Sequence, residues 1–109
     1  MVLIRIKPLS VNECWQGRRF KTPKYKSYQR ALLFYLKPLK VPDGALSIRM
    51  VIGFSNKNSD LDNPLKPFID ILQKKYGFND SRIYELQIQK KIVQKGMEFI
   101  DFEIISYTK

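Results

Sequence analysis

Residues 45–54 alternate in two phases, with Leu46, Ile48, Met50, Ile52 and Phe54 in one and Ser47, Arg49, Val51 and Gly53 in the other. A period of two over that length predicts a strand that lays one face on a core, so the fold has to be built around a sheet. At 109 residues the chain has room for one domain, 1–109, and one modest core. The other periodicities supply partners for that strand. Residues 2–7 alternate Val2, Ile4, Ile6 against Leu3, Arg5, Lys7 and predict a short strand ended by Pro8. A long loop is expected over 8–24. Tyr28, Ala31, Leu32, Tyr35 and Leu36 recur at three and four, predicting a helix over 25–37 that Pro38 stops. Pro42-Asp43-Gly44 reads as a turn. Leu65, Phe68, Ile69, Leu72 and Tyr76 predict a second helix over 63–76, with Asn63 as N-cap, Pro64 at the first position and Gly77 as the stop. Pro67 would then remove one hydrogen bond from its first turn. Residues 82–93 and 97–107 predict two long strands joined at Gln94-Lys95-Gly96 as an antiparallel hairpin. The order β-α-β-α-β-β gives an α/β (α+β) class, a mixed sheet with two helices.

Charge is distributed unevenly along this frame. Twenty Lys and Arg face ten Asp and Glu, a net charge of +10, and so strong a field on a small protein points to a polyanionic partner. Residues 1–30 carry eight basic residues and a single acid, Glu13. Residues 60–80 reverse the sign locally with four aspartates, Asp60, Asp62, Asp70 and Asp80. Bare carboxylates repel phosphate, so the cluster makes sense if a divalent cation stands between the two. The chain has no histidine and one cysteine, Cys14. That excludes His-based triads, His–metal nucleases, Cys-based zinc or iron–sulfur sites and an internal disulfide, and it fits a reducing cytoplasm. No apolar run is long enough to span a membrane and the N-terminus does not resemble a signal peptide, so no membrane partner is expected.

The acidic segment reads Asp60-Leu61-Asp62-Asn63-Pro64-Leu65-Lys66. If 60–62 are extended, Asp60 and Asp62 point to one side, just ahead of a helix N-terminus. Lys66 and Asp70 share one face of the helix. Asp80 follows in the link after it and would need a favourable turn to come back to the others. An oxygen-only set without histidine suits Mg²⁺, with Mn²⁺ as a substitute, and no organic cofactor is called for. Such an ion polarises a phosphodiester and acidifies a bound water, and a nearby lysine stabilises the extra charge of the transition state. Each residue also has a plain structural reading: Lys66–Asp70 as a solvated pair, Asp62 as a cap, Asp80-Ser81 as turn chemistry. Together, four aspartates and a lysine within 21 residues of a basic protein are poorly explained that way. In the basic segment, Arg18, Arg19 and Lys21 read as DNA contacts, Trp15 equally as a base-stacking residue or packing, and Tyr25 and Tyr28 as helix core.

These residues resemble the RusA family of Holliday junction resolvases, small endonucleases often carried by phages and prophages. Asp60-Leu61-Asp62-Asn63-Pro64-Leu65-Lys66-Pro67-Phe68-Ile69-Asp70 resembles the family pattern D-x-D-N-x-x-K followed by a helix with a further Asp, and Asn79-Asp80-Ser81-Arg82 its third acidic motif. Pro8-Leu9-Ser10-Val11-Asn12, with Trp15 and Arg18-Arg19, resembles the opening P-x-S-x-N segment and basic loop. The resemblance implies Asp60, Asp62 and Asp80 as metal-binding and catalytic carboxylates, Lys66 as a catalytic lysine and Asp70 as a further candidate. It adds Asn12 to the DNA-binding set Trp15, Arg18, Arg19 and Lys21, and implies a homodimer that resolves four-way DNA junctions with Mg²⁺ in recombination and repair. One departure is that Asn79 stands where the family often has the first of two acids. The rival expectations are a nuclease acting on other branched or single-stranded DNA, and a non-catalytic nucleic-acid-binding module whose aspartates are structural. The long strands Leu86–Ile92 and Ile100–Ile105 are the candidates for a dimer surface.

Overall fold

The computed structural model describes residues 1–17 and 20–109; Arg18 and Arg19 lie outside the described residues. Among the described residues, six strands and two α-helices follow in the order β1 (Val2–Ile4), β2 (Trp15–Gln16), β3 (Phe20–Lys21), α1 (Pro23–Tyr35), β4 (Leu46–Phe54), α2 (Leu65–Tyr76), β5 (Ile83–Ile92) and β6 (Phe99–Ser106). The class is the mixed α/β one expected, with a β2–β3 ribbon set into the expected 8–24 loop. Four strands form one sheet in the order β1-β6-β4-β5. β5 runs parallel to β4, and β6 runs antiparallel to both β4 and β1.

The expected β5–β6 hairpin is not formed, because β4 lies between the two strands. The turn signal itself was real: Met97 N–H bonds to the Gln94 carbonyl at 2.9 Å, and Gly96 takes φ 92°. The turn sits in a connection that passes over the end of β4, where Val93 N–H is pinned to the Phe54 carbonyl at 2.8 Å. β4 is the strand with the most to bury, with even Ser47 and Gly53 inaccessible. As the central strand it is paired along its length on both edges, parallel to β5 and antiparallel to β6.

Ile48, Met50 and Ile52 of β4 and Ile100, Phe102 and Ile104 of β6 join Tyr25, Tyr28 and Leu32 of α1 and Phe68, Ile71 and Leu72 of α2 in one core. Phe68 meets Phe102 edge-to-face with ring centroids 5.4 Å apart, a geometry worth more than area burial alone. Tyr25 and Tyr28 are core residues, as expected. The opposite face of the sheet carries the Arg49–Glu103 ion pair, at 3.6 Å. Burial of Ile100 and Ile104 removes them from a dimer surface. β5, at the sheet edge, leaves Tyr84, Leu86 and Ile92 exposed.

Element boundaries moved for identifiable reasons. β1 stops at Ile4, opposite Ile100, because β6 begins at Phe99 and offers little beyond it. α1 starts earlier than expected, at Pro23: Thr22 caps it by accepting from Tyr25 N–H at 3.1 Å. It ends at Tyr35, since a residue ahead of Pro38 disfavours helical backbone. α2 begins at Leu65 with Pro64, not Asn63, at the cap and without a side-chain cap bond. Pro67 then falls at the third position, whose N–H has no helical partner anyway, so the expected lost bond does not arise; the first helical bond runs from Phe68 N–H to Pro64 O at 3.3 Å.

Gly53 pairs with Phe99, and a Cβ placed there would lie 2.4 Å from the Phe99 ring. Gly53→Ala therefore forces that ring off its position. The expected cost is about 1–3 kcal/mol, the usual range for overpacking, read as a lower urea midpoint with unchanged slope.

Candidate functional site

The N-terminal segment is held in place by its own polar groups. Ser10 accepts from Asn12 N–H at 3.2 Å and starts a single 3₁₀ turn over Val11–Glu13. Cys14 is buried behind that turn, and burial pushes its thiol up. Thr22 N–H bonds to the Cys14 carbonyl at 2.9 Å and closes the base of the ribbon. In the ribbon Trp15 pairs with Lys21, and the Lys21 ammonium stands 4.0 Å from the Trp15 ring centroid and 4.2 Å from that of Tyr25. Both contacts are within cation–π range. Asn12 and Trp15 remain exposed.

The acidic motif is not extended as expected but turns. Asp60 carbonyl accepts from Asn63 N–H at 3.3 Å and Asp62 carbonyl from Leu65 N–H at 3.1 Å, the turn chemistry that Asp, Asn and Pro favour. The Asn63 carbonyl receives Val11 N–H at 2.8 Å. The opening segment and the acidic motif are thereby tied to each other across more than fifty residues of chain.

From this turn α2 carries Lys66 to Asp70, with Nζ 3.3 Å from Oδ1. Gln73, one turn on, donates to the same Asp70 oxygen at 3.5 Å, and its side-chain Oε1 accepts from Asp80 N–H at 2.9 Å. Gly77, at φ 70°, ends the helix and turns the chain back. Asn79 caps the short turn Asp80–Arg82 by accepting from Ser81 N–H at 2.8 Å. The residue that departs from the family pattern thus positions the one that follows it. Arg82 anchors the far side by donating to the carbonyls of Pro42 and Gly44. Asp80 comes back only as far as Asp70 and Lys66, with which it lines one hollow of about 280 Å³ together with Leu65, Ile69 and Leu86; Asp60 and Asp62 are not among its lining residues. On the other side of α2, Lys66 and Asp70 line a small cleft with Trp15 and Lys21.

Asp60 falls elsewhere, in a separate hollow of about 360 Å³ that it shares with Glu98, Lys7 and Phe54. Asp62 lies exposed on the turn between. Among the described residues no group of three or more His, Cys, Asp or Glu side chains is close enough to hold one metal ion, so Asp60, Asp62 and Asp80 are arrayed around the N-terminal half of α2 and not gathered at one point. Sequence reasoning missed Gln73 and Glu98. The position of Gln73, three residues after Asp70 on the same helix face, was a usable signal; Glu98 gave none, since only the crossover over β4 brings it to Asp60.

No helix among the described residues is long and apolar enough to cross a membrane. A scan of protein-family models finds none that matches this chain, and a search of curated protein sequences finds no match.

Proposed function

We propose that this protein is a Mg²⁺-dependent endodeoxyribonuclease that resolves four-way DNA junctions, as its resemblance to the RusA family implies. The observation that carries the reading is the meeting of Trp15 and Lys21 from the basic segment with Lys66 and Asp70 from the acidic motif in one cleft. DNA-holding and phosphate-cleaving residue types are otherwise far apart in the sequence.

Mg²⁺ takes hard oxygens and commonly binds through one or two carboxylates, completing its shell with water and substrate phosphate, so a three-carboxylate cage is not required. Asp80 and Asp70 would hold it in the hollow they share, with Asp62, on the exposed turn leading into the same helix, as a further oxygen donor; Asp60 lies in the separate hollow and does not join them. When bound, the ion supplies Lewis acidity and a more acidic water. The protein's own residues do the rest. Lys66 places an ammonium at the scissile phosphate, where negative charge grows in the transition state. Asp70 and Gln73 orient Lys66 and the Asp80 turn. Lys21, steadied by Trp15 and Tyr25, holds the DNA backbone, with Asn12, Arg18 and Arg19 as further contacts. Two symmetric nicks need two sites, hence a two-fold dimer, and the free β5 edge offers its surface.

The test is cleavage of a synthetic four-way junction in Mg²⁺. Paired nicks at symmetric positions on opposing strands, abolished by a chelator, are the expected result. Equal activity on linear duplex would replace this reading with a broader nuclease. Tight, metal-independent junction binding without any cleavage would replace it with the non-catalytic binding module, to which the spread of the aspartates lends some support.

A further inference from the structure

No Asp or Glu stands between Glu13 and Asp43 in the chain, so α1 and the segment after it form a basic surface without an acid of their own. Lys26, Arg30 and Phe34 succeed one another at four-residue spacing and share one face of α1. All three are exposed, on the side away from Tyr25, Tyr28 and Leu32, which the core takes. The last turn of α2 adds charge beside them: Lys74 donates to Gln29 Oε1 at 2.9 Å and Lys75 to the Leu33 carbonyl at 3.2 Å. Among the described residues, carboxylates pair with Lys24, Arg49 and Lys66 and with none of Lys26, Arg30, Lys37, Lys74 or Lys75.

In this field stand two aromatic rings that the core does not use. Phe34 is 83 % exposed and Tyr35 56 %. Three-and-four spacing puts Tyr35 on the apolar stripe of α1, but Leu36 takes that place in the core, buried where the chain leaves the helix in extended backbone. The two rings meet edge-to-face with centroids 5.6 Å apart. Such a pair occupies one face of one ring and an edge of the other, so ring faces stay open to a third group. A lone exposed apolar side chain needs no explanation. Two adjoining rings at the end of an acid-free basic stripe have the composition of surfaces that hold unpaired nucleotides, cations for the phosphates and ring faces for the bases. Charge argues against a second copy of this chain as the occupant, because an isologous contact sets Arg30 and Lys37 against their own counterparts.

We infer that the C-terminal end of α1 is a stacking platform for a single-stranded stretch of nucleic acid: a base lies on the Phe34 ring, while Arg30 and Lys26, one and two turns before it, hold the phosphates that lead to it. α1 begins beside the cleft, where Lys21 stands over the ring of Tyr25. From Tyr25 to Phe34 the helix advances about 14 Å at 1.5 Å per residue. That is room for about four nucleotides at 3.4 Å each. The inference rests on the DNA-acting reading above and deepens it by naming the state of the strand that runs along α1. Bases inside an intact duplex are covered on both faces by their neighbours and offer nothing to Phe34; unpaired bases at a branch do.

The experiment is fluorescence anisotropy of a labelled oligothymidine and of a labelled duplex of equal length, in chelator so that nothing is cut. Phe34→Ala is expected to weaken oligothymidine binding by about 5- to 150-fold, the scale of one base–aromatic stack, and to leave duplex binding unchanged. Phe34→Leu, which keeps apolar bulk without a ring face, should behave like Phe34→Ala, and Phe34→Tyr like wild type. Arg30→Gln should weaken both probes and lower the single-strand salt slope by about 0.7. Wild-type binding of oligothymidine by Phe34→Leu overturns the inference, and so does an equal loss on the duplex. Two other occupants have their own signatures, each of which also overturns it: wild-type binding to phosphatidylserine vesicles that Phe34→Ala abolishes, or a wild-type dimer in sedimentation that Phe34→Ala splits. A protein that loses oligothymidine with Phe34→Ala yet cuts no junction loses the nuclease reading and keeps the platform. One that cuts junctions while Phe34→Ala binds as wild type does loses the platform alone.

Discussion

Asp62→Asn is expected to abolish junction cleavage while leaving junction binding intact or slightly tighter. Asparagine is nearly isosteric with aspartate. The Asp62 contribution to the turn is its backbone carbonyl, which accepts from Leu65 N–H at 3.1 Å, and the substitution leaves that bond untouched. One negative charge and one hard oxygen donor are lost. Removing even the outer partners of a metal ligand typically costs 10- to 100-fold, so loss of a donor itself should reduce cleavage by about 100-fold or more. Without the charge, phosphate is repelled less, and binding in the absence of metal should not suffer. Lys66→Ala is the companion variant. Its pair with Asp70 is exposed at the lysine end, so stability should change by less than about 1 kcal/mol. Cleavage should fall by about 100- to 1,000-fold, as when a transition-state donor is removed, and binding should weaken modestly because a cation has gone. Gel shifts and cleavage assays on wild type and both variants read the two quantities side by side. Wild-type cutting by Asp62→Asn would remove the aspartates from the site.

Phe102→Ala is expected to have the largest effect on the fold. Phe102 is 0 % exposed and sits mid-strand in β6, pairing with Val2 on one side and Met50 on the other while its ring packs on Phe68. Truncating a buried phenylalanine costs about 3–5 kcal/mol through lost transfer energy and the cavity left behind. A domain of this size has about 5–15 kcal/mol in total, so the variant should be marginal. Its melting temperature should fall by roughly 12–40 °C, at 4–8 °C for each kcal/mol, measured by circular dichroism. A fall of only a few degrees would mean that β6 is not the strand that unites the sheet with α2.

The existence and type of the main elements were legible along the chain, because each periodic segment declares its own face: even-numbered residues of β4, the three-and-four spacing of α1 and α2. The stop signals worked for the same local reason; Gly77 and Pro38 act on their own backbone. The charge contrast between a basic opening and an acidic middle was equally legible, and so was the membership of Lys66 and Asp70 on one helix face. Pairing was not. Gln94 to Met97 said that the chain reverses there, which it does, but a turn cannot say what lies between the strands it joins. That was decided by the backbone hydrogen-bonding needs of β4, which draws β5 to one edge and β6 to the other. The same non-local choice carries Glu98 over the end of β4 to Asp60 and leaves Asp80 to meet Asp70 through Gln73. Sequence determined which charged residue types this protein carries and on which elements they fall. Only the tertiary structure decided which of them meet, because side-chain proximity across a sheet depends on strand order, and strand order is set by contacts far apart in the chain.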